Sequence, residues 1–86
     1  MKTNFQMLRE LLEVYHPVER GVIMSYEVET INEYLCLEKM DVLGLRNMRD
    51  FVVLFLGKSD SMEDWDRMSA ITSVIDTTIW NRGGEV

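Results

Sequence analysis

The chain has 86 residues and a mass of 10.1 kDa, which allows a single domain over residues 1–86; 47% hydrophobic and 28% charged residues place it among folded globular proteins. Fifteen acids against nine bases leave a net charge of −6. That balance argues against a general nucleic-acid binder, whose affinity comes from Lys and Arg displacing counterions from phosphates, and against docking on an anionic membrane.

The first segment predicts a helix from about Asn4 to Tyr15, with Thr3 or Asn4 as its cap. Phe5, Leu8, Leu12 and Tyr15 recur at spacings of 3, 4 and 3 with Leu11 beside them, which makes one apolar stripe at the helical period. His16-Pro17 ends it, because a residue before proline is pushed out of the α region. The opening stretch carries Lys2, Arg9, Glu10 and Glu13 and has no uninterrupted apolar core, so it does not read as a signal peptide.

Residues 17–39 are ambiguous. Gly21 followed by Val22-Ile23-Met24-Ser25-Tyr26 is compatible with a turn and a strand. Met24, Val28, Ile31 and Leu35 nevertheless repeat at 4, 3 and 4, which favours a second helix from about Val18 or Val22 to Glu38. Glu27, Glu29, Glu33 and Glu38 would give it an acidic exterior.

Asp41 is a suitable cap for a third helix, about Val42 to Leu56, in which Leu45, Met48, Val52 and Phe55 form one stripe. Phe51 and Leu54 add a second apolar face, as expected for a central bundle member or half of an interface. The run Phe51–Leu56 also suits a buried strand, but it extends a pattern that begins at Val42. It is far shorter than the ~20 residues that a membrane-spanning helix needs.

After the break Gly57-Lys58-Ser59-Asp60, Ser61 can cap a fourth helix from about Met62 to Trp80, with acids in its first turn and Gly83-Gly84 beyond its end. Trp65, Met68, Thr72, Ile75 and Ile79 recur at 3, 4, 3 and 4, with Ile71 alongside. The predicted fold is all-α, a compact bundle of three to four helices. The runner-up is α+β, with short strands near 22–26 and 51–56.

Catalytic equipment is sparse. His16 is the only histidine, and Cys36, the only cysteine, lies near Glu33 and Glu38, which would raise rather than lower its pKa. No Cys or His pair has zinc spacing, the acids at 60–66 lack the calcium-loop pattern, and no glycine-rich phosphate loop exists. We expect no enzyme, no cofactor and no metal site. A lone cysteine fits a reducing compartment, and the expected location is cytoplasmic, in a host cell if the chain is phage-encoded.

Two kinds of surface remain. One is acidic: Glu27, Glu29 and Glu33 on the second helix, and Asp60, Glu63, Asp64 and Asp66 at the start of the fourth. Carboxylates 3 or 4 residues apart share a helical face and suit a basic partner. The other is apolar: Met48, Phe51, Leu54 and Phe55, suited to a partner or to a second copy of the chain. In size and charge the chain resembles the short acidic proteins that phages and mobile elements make against host nucleases, including anti-CRISPR and anti-restriction inhibitors. The functional expectation is a small acidic protein-binding module, a regulator or inhibitor docking on a larger basic nucleic-acid-handling protein. The alternatives are a structural homodimer and, third, a helix-turn-helix regulator, for which only Arg46 and Arg49 offer bases on a recognition helix.

Overall fold

The computed structural model describes residues 1–84, in which four helices are found: α1 (Asn4–Val14), α2 (Ser25–Leu35), α3 (Val42–Leu56) and α4 (Met62–Asn81). A short 3-10 turn, Leu37–Lys39, joins α2 to α3. The predicted all-α bundle is the observed fold, and there is no strand among the described residues. Residues 51–56 are helical, and near 22–26 only an isolated bridge between Glu19 and Val22 closes a turn at Gly21.

Local chemistry sets the helix starts. The Thr3 hydroxyl accepts from the Gln6 backbone N–H at 3.1 Å while the Gln6 carboxamide accepts from the Thr3 N–H at 2.9 Å, a reciprocal cap that satisfies two otherwise free donors. Asp41 Oδ1 accepts from Gly44 N–H at 2.7 Å at the start of α3, and Ser61 accepts from Asp64 N–H at the start of α4. At the far end of α4, Gly83 takes a φ of 80° and the Gly84 N–H bonds the Ile79 carbonyl at 3.0 Å. This left-handed closure suits glycine and ends the helix cleanly.

The second helix starts later than the apolar repeat predicts. Gly21 has a φ of 81°, outside the helical region, so residues 17–24 form a loop and α2 begins only at Ser25. Its inward stripe is therefore Glu27, Ile31 and Leu35, at intervals of four, and Met24 is left exposed. Helix α2 ends where Cys36 adopts the left-handed conformation (φ 53°, ψ 41°), a cost that a non-glycine residue carries for the sake of turning the chain into the 3-10 segment.

Helix α1 packs on α2 and α3, and α4 packs on α3 and α2, so the helices form a ring with α2 and α3 at opposite corners. Leu8 and Leu11, Ile31 and Leu35, Leu45 and Val52, and Ile71, Ile75 and Ile79 fill its centre. Each such side chain contributes roughly 1.5–3 kcal/mol by leaving water. Several stripes are rotated from the predicted ones. In α1 Met7 turns inward and Phe5 outward. In α3 Leu56 replaces Phe55 on the inward side, and in α4 Ala70 and Val74 lie inside while Trp65 lies outside.

Glu27 is 1% exposed and belongs to this core. Its carboxylate accepts from the Tyr15 hydroxyl at 3.1 Å and from the Met24 backbone N–H at 2.7 Å, joining the end of α1 to the start of α2. Burial, and then the hydrogen bond and charge of Glu27, push the Tyr15 phenol above its ordinary value of 10.0. A phenol whose pKa is raised by folding adds stability that is fully present below that ordinary value and is lost as pH rises beyond it.

Two outcomes follow from this pair. Glu27→Ala leaves the Tyr15 hydroxyl and the Met24 N–H without their acceptor and should cost about 1–3 kcal/mol in urea unfolding; an unchanged midpoint would show that the carboxylate is dispensable. In wild type, stability should decline as pH rises above 10.0, and Tyr15→Phe should flatten that decline. Parallel denaturation series across this range measure the difference.

Candidate docking surfaces

The acids at the start of α4 are mostly consumed by the fold. Arg67, one turn into the helix, pairs with Glu63 at 2.7 Å and Asp64 at 2.9 Å, and its Nε–H donates to the Tyr15 carbonyl at 3.1 Å. His16 Nδ1 lies 2.6 Å from the same Glu63 oxygen. Asp64 also accepts from the Ser59 hydroxyl at 2.6 Å, and Asp66 pairs with Arg20 at 3.1 Å. These contacts fasten residues 15–20 to α4. Among the described residues, Asp60 alone of Asp60, Glu63, Asp64 and Asp66 has no ion pair, so the four do not form one uncompensated negative face.

The acids of α2 divide differently. Glu27 is withdrawn into the core because it shares the stripe of Ile31 and Leu35, so it is removed from the predicted partner-binding set. Glu29 and Glu33 point outward. The left-handed turn at Cys36 and the 3-10 segment bring Glu38 beside them. Together with Asn32, Cys36 and Lys39 they line an open groove of about 410 Å³. None of these three glutamates has an ion-pair partner among the described residues. Lys39 stands on the rim, and Arg82 is spent on the carbonyls of Leu37 and Glu38, at 3.0 and 2.8 Å.

The apolar surface also differs from the predicted one. Met48 is 0% exposed, because it lies on the inward stripe with Leu45, Val52 and Leu56, and is therefore core rather than interface. Phe51 is half-buried, Phe55 is 40% exposed and Leu54 64%. Phe51 stacks on Phe55 with centroids 5.9 Å apart, and Phe5 of α1, 44% exposed, meets Phe55 edge-on at 5.6 Å. Such pairs add to area burial and hold the rings in fixed positions. Phe5 was hidden from sequence reasoning because the period alone put it on the inward stripe. Glu38, expected on the acidic exterior of a longer second helix, reaches the groove instead from the 3-10 turn.

Cys36 is partly buried, its Sγ 3.7 Å from the Glu33 carbonyl oxygen. No group of three or more His, Cys, Asp and Glu side chains is placed to hold a metal ion among the described residues. Nor is any described helix long and apolar enough to cross a membrane. Comparison with protein-family models, curated proteins and solved structures finds no significant match.

The structural reading of the α4 acids has a direct check. Arg67→Ala should lower unfolding stability by about 1–3 kcal/mol, since it removes a largely buried guanidinium from Glu63, Asp64 and the Tyr15 carbonyl. Asp60→Asn should stay within about 0.5 kcal/mol. Equal effects in urea titrations would contradict the division.

Proposed function

We propose that this protein is a small protein-binding regulator that docks on a larger, basic, nucleic-acid-handling protein and inhibits it by occupying part of its phosphate-binding surface. The observation that carries this reading is the groove on α2 and the 3-10 turn, where Glu29, Glu33 and Glu38, none with an ion-pair partner among the described residues, outnumber the single base Lys39. Exposed, unpaired charge of one sign attracts a partner of the other and raises its encounter rate, while contributing little to the fold itself. A surface that had only to stay soluble could mix its charges, as the start of α4 does.

The mechanism is competitive. A basic groove that binds nucleic acid is shaped for a row of negative charges, and Glu29 and Glu33, four residues apart on α2, with Glu38 on the 3-10 turn supply a short row. Three carboxylates cannot match a long phosphate backbone, so the apolar neighbours of the groove and close shape fit must add to the affinity. Binding of this kind weakens as salt screens the charges, over a length of about 8 Å at physiological ionic strength.

The test pairs the wild-type chain with the triple variant Glu29→Lys/Glu33→Lys/Glu38→Lys as bait, in lysate at low and moderate salt, with duplex DNA as competitor. A nucleic-acid-processing protein should be retained by wild type, displaced by the DNA and lost from the variant, while circular dichroism of the two baits stays alike. Identical captures on both baits, or a partner indifferent to DNA, would overturn the reading.

A further inference from the structure

The outer side of α3 lies at the opposite corner of the ring from the acidic groove and carries a different pattern. Leu54 is 64% exposed, with Asp50 one turn before it and Lys58 one turn after it. Gly57 closes α3 in the right-handed helical conformation (φ −67°, ψ −16°), so Lys58 continues the spiral and shares the outward face. Asp50 and Lys58 are both exposed, and neither has an ion-pair partner among the described residues. An acid and a base at equal intervals on either side of an exposed leucine are self-complementary under a two-fold rotation. If a second copy is turned about an axis through Leu54, its α3 runs antiparallel, and Asp50 of each copy comes level with Lys58 of the other.

The aromatic cluster obeys the same symmetry. A two-fold axis perpendicular to two facing antiparallel helices keeps each flank on its own side. The Phe5, Phe51 and Phe55 clusters of the two copies then lie side by side and extend the apolar contact that begins at Leu54. We propose that the chain forms an isologous two-fold dimer through the outer face of α3, with Leu54 at the axis, the phenylalanines along one flank and two reciprocal Asp50–Lys58 contacts setting the register. The charge pattern selects this occupant: a second copy presents the complementary charges at the required spacing, whereas a wholly basic partner would meet Lys58 unfavourably. Because α2 and α3 sit at opposite corners, such a dimer leaves both acidic grooves uncovered, and it stands or falls independently of the proposed inhibition.

Sedimentation equilibrium of the intact chain tests it. Wild type should approach twice 10.1 kDa as concentration rises. Asp50→Lys alone and Lys58→Asp alone each set like charges together at both contacts and should weaken self-association at least about tenfold. An equimolar mixture of these two single variants should form a mixed dimer, since every contact is again between opposite charges, and the double variant Asp50→Lys/Lys58→Asp should pair with itself. Both side chains are exposed, so the variants should keep the wild-type circular dichroism. A wild-type chain that stays at 10.1 kDa up to millimolar concentration, or a dimer indifferent to these swaps, would overturn the proposal.

Discussion

The carboxylate of Glu27, buried at the junction of α1 and α2, fixes how half of the molecule is arranged. It accepts one hydrogen bond from Tyr15, where α1 has just ended, and one from the backbone of Met24, where α2 is about to begin. An ionised group in an apolar core is expensive unless its lone pairs are occupied, and these two donors occupy one on each oxygen. With Glu27 held inward, the rotation of α2 about its axis is determined. Ile31 and Leu35 follow it into the core, and Glu29 and Glu33 are forced out to the solvent. The acidic surface is thus a consequence of the core arrangement.

A second polar hub does comparable work on the other side of the loop. Arg67 reaches from α4 to the Tyr15 carbonyl and to Glu63 and Asp64, while Arg20 meets Asp66. Of the apolar residues in 15–24 only Tyr15 is fully buried and Ile23 partly so, while Val18, Val22 and Met24 stay exposed, so polar contacts across to α4 add to a modest hydrophobic anchorage. Two carboxylate groups that look alike in the sequence therefore do different things. Glu63, Asp64 and Asp66 of α4 pair with Arg67, one turn along the helix, and with Arg20 from the loop, whereas Glu29, Glu33 and Glu38 have no ion-pair partner among the described residues.

The sequence made a bundle of three to four helices legible, along with the limits of α3 and α4, because Asp41 and Ser61 are strong caps and the apolar period runs unbroken between them and the following breaks. Residues 17–24 were not legible: Val22 and Met24 look like the start of a helix until Gly21 turns into the left-handed region. The same uncertainty of rotation misplaced Glu27 and Met48, since an apolar stripe in the sequence gives the helical period, about 100° per residue, without saying which of its edges turns fully inward. Charge counts also cannot reveal pairing, so Glu63, Asp64 and Asp66 resembled a docking face until Arg67 and Arg20 were seen beside them. The groove at Glu38 depends on the backbone at Cys36, and no residue type announces a left-handed cysteine.

The two outward surfaces, acidic on α2 and apolar on α3, are the ones proposed to meet a basic partner and a second copy of the chain. Site-specific photo-cross-linking tests the first of these assignments most directly. A benzophenone amino acid placed at Lys39, on the rim of the acidic groove, is compared with one at Ser69, an exposed position on α4. Cross-linking to a nucleic-acid-handling protein from position 39 and not from position 69 is the expected result. A cross-link to such a protein from position 69 alone, or from neither position, would contradict the assignment of the α2 groove as the working surface.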